Sequence, residues 1–383
     1  MQALIDVPAG LNNVAVANTE IGSVDGDAGF YHYRQYDAVE LARTRSLEDV
    51  WYLLDTGELP DSDADSRWRA TLAGARAVPR ELHPVIAAVA ATTASPLAQL
   101  RAVLSAGGSA LGLHPMLDLT EAERRAQARR VAAVVPGILA GLYRSARGLR
   151  PVEPQPSAGH AAAYLHAVTG MAPTEAHARA LEQYLILTVD HGFNASTFTG
   201  RVAASTGADL ADVVCSAIGA LAGPLHGGAP SRALDALDAI GTPDRAAAWV
   251  RAEVAAGRRI MGFGHAVYRA PDPRSALLRQ VAESLAKEGD GALVEQAIAI
   301  ETEILTTLAE LKPDRPLPSN VEFYAGVIMA TVGLPREMFT PTFAVSRVIG
   351  WVTHAVEQAA AGKLIRPSAH YVGPPVDRAA VPV

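Results

Sequence analysis

The sequence predicts an all-α fold with a small N-terminal β-ribbon, and three observations lead there. Apolar residues recur at helical spacing over most of the chain, as in "SLEDVWYLLDTGELP" (46–60), where Leu47, Val50, Trp51 and Leu54 share one face. Helix start signals accompany that period: Ser46 with Asp49, proline at the first position after Ser95, and Thr120 with Glu123. Turn-bounded β-prone residues are confined to "TEIGSVDGDAGFYHY" (19–33), where Asp25-Gly26 and Gly29 punctuate two short runs. Heavy use of alanine, with only 5% aromatic residues, suits closely packed helices.

Taken in order, the ribbon is followed by the helix over 46–60, which Gly57 and Pro60 stop. A second begins at Pro96, and a long one follows Thr120, with an interruption expected at Pro136-Gly137. Pro173-Thr174 opens a helix running to about Val189. Ser196 to Ala222 reads as two helices meeting near Gly207. Further helices are expected over 230–240, 243–257, 273–287 and 292–311. "KPDRPLPSN" (312–320) is a break, a helix follows from Val321 to Thr331, and the last long one contains "FAVSRVIGWVTHAVEQAAAG". Glycine and proline cluster at 223–230 and 333–335, marking candidate hinges between two domains, which a chain of 383 residues is long enough to form.

Composition excludes several functions. A formal net charge of −7 does not attract nucleic acid, so any anionic ligand needs a local arginine cluster. Cys215 is the only cysteine, which rules out an intramolecular disulfide and a cysteine-based zinc site and suits a reducing compartment. "MQALIDVPAGLNN" has neither the charged start nor the apolar core of a secretory signal. The longest apolar stretches, 85–98 and 131–143, fall short of the ~20 residues that cross a bilayer. The expectation is a soluble, cytoplasmic protein without membrane attachment.

Familiar local signatures fail. Gly262-Phe-Gly264 lacks the third glycine of a dinucleotide fingerprint, Gly362-Lys363 is followed by leucine, and there is no His-Glu-x-x-His. What remains lies in the second half of the chain: His191 in "DHGFNAST", His226 in "GPLHGGAP", and His265, Arg269 and Arg274 in "MGFGHAVYRAPDPR". Glu322 in "SNVEFYAG", Arg347 in "FAVSRVIGW" and Arg366 in "KLIRPSAHY" complete the set. Arginine forks hold carboxylates at two points, and a neutral histidine can donate to an oxygen that is becoming anionic. A carboxylate shielded from water can remove a weakly acidic C–H proton. The combination suits carbon–carbon bond formation between a polycarboxylate and an enolate made from a thioester. Each residue also has a plain structural reading: a histidine in a turn, Glu322 as a surface acid favoured by a helix dipole, Arg347 as a buried ion-pair partner and Arg366 as a solvated tail residue. His160, His166, His177 and His354 are read as structural. His354 and Glu357 lie one turn apart but lack a further ligand for a metal site.

The ordered segments "GLNNVAVANTEIGSVDGDAGFYHYR", "DHGFNASTFTGRVAAS", "GPLHGGA", "MGFGHAVYRAPDPR", "NVEFYAG", "MFTPTFAVSRVIGW" and "LIRPSAHYVGP" resemble the citrate synthase family along nearly the whole chain. The resemblance implies an almost all-α homodimer. Its large domain would comprise 1–227 and 334–383, and a small domain, 228–333, would close over the substrates. It implies that His226 stabilises the enolate of acetyl-CoA, that His265 polarises the oxaloacetate ketone and that Glu322 is the base. His191, Arg274, Arg347 and Arg366 would bind oxaloacetate, with Arg366 supplied by the partner subunit. Arg269 would meet a coenzyme A phosphate, and Met261, Gly262, Phe263, Gly264 and Ala266 would line the adenine site. Coenzyme A would act as co-substrate, with no tightly bound cofactor and no metal. A 2-methylcitrate synthase taking propionyl-CoA is the alternative within the family, and a non-catalytic ligand-binding paralogue the alternative outside it. Three positions depart from the family pattern: Glu322 stands where aspartate is usual, Gln35 where a glycine is usual, and Ser368 where a second basic residue often follows.

Overall fold

Residues Gly22–Asp25 and Phe30–Tyr33 pair antiparallel, with Ser23 opposite His32, and Tyr36–Asp37 adds a third strand at Tyr33. The computed structural model describes residues 4–153, 155, 157–223, 226, 229–265, 268, 270–289 and 291–374, the side chains of 229–232 excepted. The Asp25 carboxylate closes the first turn by accepting from the backbone of Asp27 and Ala28, and Gly29 takes φ +62°. In the two-residue turn that follows, Arg34 takes the left-handed conformation at φ +51°, so Gln35 needs no glycine's freedom. Inward-facing Tyr31 and Tyr33 bury completely and reach helix 175–188: Tyr31 Oη donates to the Leu187 carbonyl (3.1 Å) and Tyr33 Oη to those of Ile186 (2.8 Å) and Asp190 (3.1 Å). The ribbon is thus a clamp on the turn that carries His191.

The rest is helical, and the capping signals fall where expected. Ser46 and Asp49 form a reciprocal capping box on Leu47–Thr56, which Gly57 ends in the left-handed conformation; Ser95 caps Pro96–Gly107, and Thr120 with Glu123 caps Glu121–Ser145. Thr174 caps Glu175–Thr188, and Ala195–Ala204 meets Leu210–Leu221 at Gly207 (φ +79°). Ala229–Ile240, Pro243–Ala255, Pro273–Glu288, Ala292–Leu311, Val321–Thr331 and Phe339–Ala361 match the expected positions closely.

One expectation fails: Glu121–Ser145 runs through Pro136-Gly137 without interruption. Pro136 and nearly every residue from Val131 to Leu142 are buried. A Cβ on Gly137 would lie 2.9 Å from Val78 Cγ2, so close packing along this stretch offsets the ~3 kcal/mol that an internal proline costs. The helices Ala38–Thr44, Ser62–Ala75, His83–Ala90 and His160–Thr169 were not anticipated, although Asp37 and Asp61 cap the first two in the ordinary way.

Phe339–Ala361 runs through the core and packs on Glu121–Ser145, Glu175–Thr188, Ala195–Ala204 and Leu210–Leu221. The helices between 229 and 331 pack chiefly on one another. They meet the rest where Pro273–Glu288 and Val321–Thr331 touch Glu175–Thr188, and where Ala229–Ile240 touches Phe339–Ala361. Among the described residues no helix is long and apolar enough to cross a membrane.

The closest approach in the core is at Gly350, where a Cβ would sit 2.2 Å from the Val189 carbonyl oxygen. Gly350→Ala is therefore expected to destabilise the fold by roughly 1–3 kcal/mol through overpacking. Gly74→Ala, at an exposed position of helix Ser62–Ala75 with nothing within 4 Å of the new methyl, should stabilise it by about 0.5–1 kcal/mol. Denaturant midpoints of the two variants check both signs.

Candidate active site

The buried face of Phe339–Ala361 lies along residues 185–196 and fixes them by side chains at successive turns. Ser346 Oγ donates to the Leu185 carbonyl (2.5 Å), Arg347 Nε to the Thr188 carbonyl (2.8 Å), Trp351 Nε1 to Ser196 Oγ (3.2 Å), and His354 meets the Asp190 carboxylate (3.1 Å). Arg347 is 2% exposed and covers the Phe343 ring; its Nε is committed to backbone, and among the described residues no carboxylate lies within salt-bridge distance of it. His191 emerges from the fixed turn with its ring against Tyr31, Tyr268 and His265, and its Nε2 lies 2.9 Å from Tyr268 Oη.

His226 Nε2 faces the N-terminus of Ala195–Ala204, where the Ser196 N–H points at it from 3.3 Å and Ser196 Oγ lies at 2.8 Å. A backbone N–H can only donate, so Nε2 accepts and Nδ1 carries the proton. Trp351 and Asn194 hold the Ser196 hydroxyl in turn. The residues flanking His226 at 224–225 and 227–228 lie outside the described residues.

His265 follows Gly262 (φ +86°) and Gly264 (φ +77°), and at both the close neighbour is the protein itself. A Cβ would meet Phe323 at 3.2 Å or Leu317 at 2.8 Å. Hydrogen bonds from Gly264 N to the Pro318 carbonyl (2.7 Å) and from Asn320 Nδ2 to the Gly264 carbonyl (2.7 Å) bind this loop to the start of Val321–Thr331. Asp272 holds the other side. Its buried carboxylate accepts from Arg274 Nε and Nη2 (both 2.9 Å) and from the Val321 N–H (3.1 Å), tying two helix N-termini together. Glu322 is the second residue of the second helix, its N–H capped by Asn320 at 3.0 Å.

The imidazole of His265 meets two donors: the Tyr268 N–H at Nδ1 (3.0 Å) and Arg274 Nη2 at Nε2 (3.1 Å). A neutral imidazole has one nitrogen lone pair to offer. With Nδ1 accepting from backbone, the proton falls to Nε2, which faces Arg274 Nη2, so an imidazole N–H and a guanidinium anchored on Asp272 lie side by side.

Electrostatics separate the groups by role. Burial, with Arg347 nearby, brings His226 down to about 4; burial and Arg274 bring His265 down to about 4, and burial holds His191 well below its ordinary value. All three imidazoles are neutral at pH 7. Burial pushes Glu322 up to about 7 despite Arg274 and Arg347. Burial would raise Asp272 too, but the guanidinium bound to it outweighs that and keeps it below the usual carboxylate range. Glu322 is therefore no solvated dipole acid; it is half-buried among the arginines.

The structure thus brings His191, His226, His265, Arg274, Glu322 and Arg347 together. Met261, Gly262, Phe263 and Gly264 line a neighbouring cavity of about 490 Å³. Arg366 is exposed and apart from this cluster. Arg269 and Ala266 lie outside the described residues. Sequence reasoning missed Ser196, Tyr268, Asp272 and Asn320, whose work is to orient others. It also missed the basic rim of the cavity, Arg258, Arg259, Lys312 and Arg315, although the Arg-Arg pair and "KPDR" could have been noticed.

The family described as citrate synthase, C-terminal domain, matches residues 10–368. The chain belongs to the citrate synthase family. It is 38% identical to the citrate synthase of Haloferax volcanii over 96% of each chain. It is 35% identical to the 2-methylcitrate synthase of Shewanella oneidensis, over 95% of this chain and 94% of that one. The ternary complex of carboxymethyl coenzyme A and oxaloacetate with citrate synthase from Thermoplasma acidophilum superposes with a TM-score of 0.87, at 28% identity over 97% of each chain.

The lowered histidines give a check that needs no substrate. In NMR-monitored titration, His226 and His265 should show no protonation between pH 8 and 5.5, and a midpoint near 6.5 for either would contradict its burial. Unfolding exposes both imidazoles to protonation near pH 6.5, so their contribution to stability is complete above that pH and is lost as pH falls toward about 4.

Proposed function

We propose that the chain condenses acetyl-CoA with oxaloacetate and hydrolyses the resulting citryl thioester to citrate and coenzyme A, an acyl transfer in which the acyl group becomes alkyl. The observation that carries this reading is that His265 Nε2 and Arg274 Nη2 lie side by side at 3.1 Å in the buried cluster where Arg274 and Arg347 also act on the Glu322 carboxyl. The names of the relatives above support the substrate pair.

The roles follow from the chemistry. Ionised Glu322 takes a proton from the thioester methyl group, and the C–H electrons pass into the enolate, whose oxygen receives a hydrogen bond from neutral His226 Nδ1. The enolate carbon attacks the oxaloacetate ketone, the ketone π electrons move to its oxygen, held by His265 and Arg274, and that alkoxide takes up one proton while Glu322 gives up the one it removed. Water then cleaves the thioester and releases the thiol. Arg274 and Arg347, with His191, grip the carboxylates of oxaloacetate. Met261–Gly264 with the basic rim would receive the nucleotide end of coenzyme A, with Arg269 and Ala266 included by resemblance. Coenzyme A is a co-substrate in this reading, and neither a resident cofactor nor a metal is invoked.

The reading includes a cytoplasmic homodimer in which exposed Arg366 reaches the partner's oxaloacetate. It also includes closure of a small domain, 228–333, over a large one made of 1–227 and 334–383. Gly333, at φ +83° with open space around it, suits a hinge. Glu322 in place of aspartate keeps the carboxylate and lengthens its reach, with the caps at Asn320 and Asp272 fixing the backbone it springs from.

Thiol release in the presence of oxaloacetate tests this. Turnover should favour acetyl-CoA over propionyl-CoA, and Glu322→Gln should lower kcat by about 10²–10⁴-fold. A preference for propionyl-CoA would establish the 2-methylcitrate reaction, which the Shewanella relative keeps open. No thiol release with either donor would leave a binding protein. The base must be ionised, so kcat/KM should fall as pH drops through about 7, and His226 and His265, titrating near 4, should add nothing above pH 5.

A further inference from the structure

One buried polar chain reaches the turn that carries His191. His354 is 1% exposed, and its Nδ1 lies 2.9 Å from Arg201 Nη1. A guanidinium can only donate, so Nδ1 accepts and Nε2 carries the proton. That N–H donates to Asp190 Oδ1 (3.1 Å), while Asp190 Oδ2 accepts from the Gly192 N–H (3.1 Å) and so closes a tight turn around His191. Gly192 takes φ +61° to allow it. The next residue is gripped as well: the Arg201 guanidinium lies 4.8 Å over the Phe193 ring, and the His354 ring meets that ring edge-on at 5.6 Å. Arg201 is anchored by Gln358 (3.0 Å) and Glu357 (2.5 Å), both on the helix that carries His354.

That helix also carries Arg347, about two turns earlier and on the same face. We propose that His354 is a positioning residue for oxaloacetate, fixing His191 relative to Arg347 by holding the Asp190–Phe193 turn on their shared helix. The proposal rests on the oxaloacetate roles given above to His191 and Arg347. A side chain that only filled space here could be apolar. His354 instead supplies one acceptor and one donor in line, and without them a carboxylate 2% exposed loses a partner.

The test uses the full chain with His354→Leu, which removes both bonds, and His354→Gln, which keeps one donor and one acceptor. His354→Leu should raise KM for oxaloacetate by about tenfold to a hundredfold, the scale of a ~1 Å misplacement, and leave KM for acetyl-CoA within about twofold. His354→Gln should recover most of the loss. Equal rises in both KM values, unchanged KM values in folded His354→Leu, or glutamine performing no better than leucine would overturn the proposal. If His354→Leu does not fold, Asp190→Asn puts an amide N–H against either the Gly192 N–H or the His354 Nε2–H and should raise the same KM selectively; an unchanged value there overturns it equally. Calorimetric titration of oxaloacetate without acyl-CoA separates the two readings. Wild-type protein that binds oxaloacetate without releasing thiol defeats the catalytic proposal, and the loss of affinity in His354→Leu still decides the positioning role. Wild-type protein that neither binds nor turns over defeats both.

Discussion

The site depends on one packed contact, the face of helix Phe339–Ala361 against residues 185–196. The contact is close because Gly350 has no side chain: a Cβ there would sit 2.2 Å from the Val189 carbonyl oxygen, far inside van der Waals contact. Once the two backbones touch, Ser346, Arg347, Trp351 and His354 all reach polar atoms of the segment without stretching. The Tyr31 and Tyr33 hydroxyls close it from the other side. Segment ends are normally where a chain moves most. Here a helix terminus, a left-handed turn and the next helix start are held to a core helix and a ribbon, so His191 and Ser196 occupy rigid positions on what is formally a connection.

The second constraint is the placement of two carboxylates that share surroundings but not their charge state. Asp272 accepts a two-point bond from Arg274 and a third from Val321 N, and is ionised because each contact favours its anion. Glu322, one residue beyond Val321, feels the same arginine at longer range together with the charge of Asp272, and burial prevails. Environments that push paired titratable groups apart are a common way of dividing structural from proton-transfer work. The helix N-terminus ought to lower Glu322 as well. Burial raises it more than Arg274 and Arg347 lower it, which is the condition under which a carboxylate becomes a useful base near neutral pH.

Much of this was legible in the sequence, and the reasons differ by element. Capping residues act within one turn of chain, so Ser46, Ser95, Thr120 and Thr174 could be read directly, and the helices they start are where they were expected. Pro136 misled because its cost is local whereas its compensation comes from Val78, far away in sequence. Among the site residues, those with unusual chemistry in unusual company could be found: histidines beside glycines, an arginine among apolar neighbours. Their supports could not. Asp272 looks like any helix cap, Ser196 like any helical serine and Tyr268 like a core aromatic, until folding brings each against a histidine or an arginine. His354 was read as structural for the same reason, since a ring between Arg201 and Asp190 leaves no local trace.

The glycines around His265 carry the argument one step further. Read from sequence, Gly262 and Gly264 suggest backbone opened up for a ligand. In the fold their first service is to the protein: both take positive φ, and a methyl on either would strike Phe323 or Leu317. Packed that tightly, the loop presents its opposite side to the cavity it lines, and its carbonyls are committed to Asn320 side-chain and backbone donors. The residue that receives those bonds' constraint is Glu322, whose helix begins at the same Asn320 cap. The loop that orients His265 and the cap that orients Glu322 are therefore one hydrogen-bonded unit. A change at either glycine would displace the imidazole and the carboxylate together, which is why permissive backbone here produces a rigid arrangement of side chains.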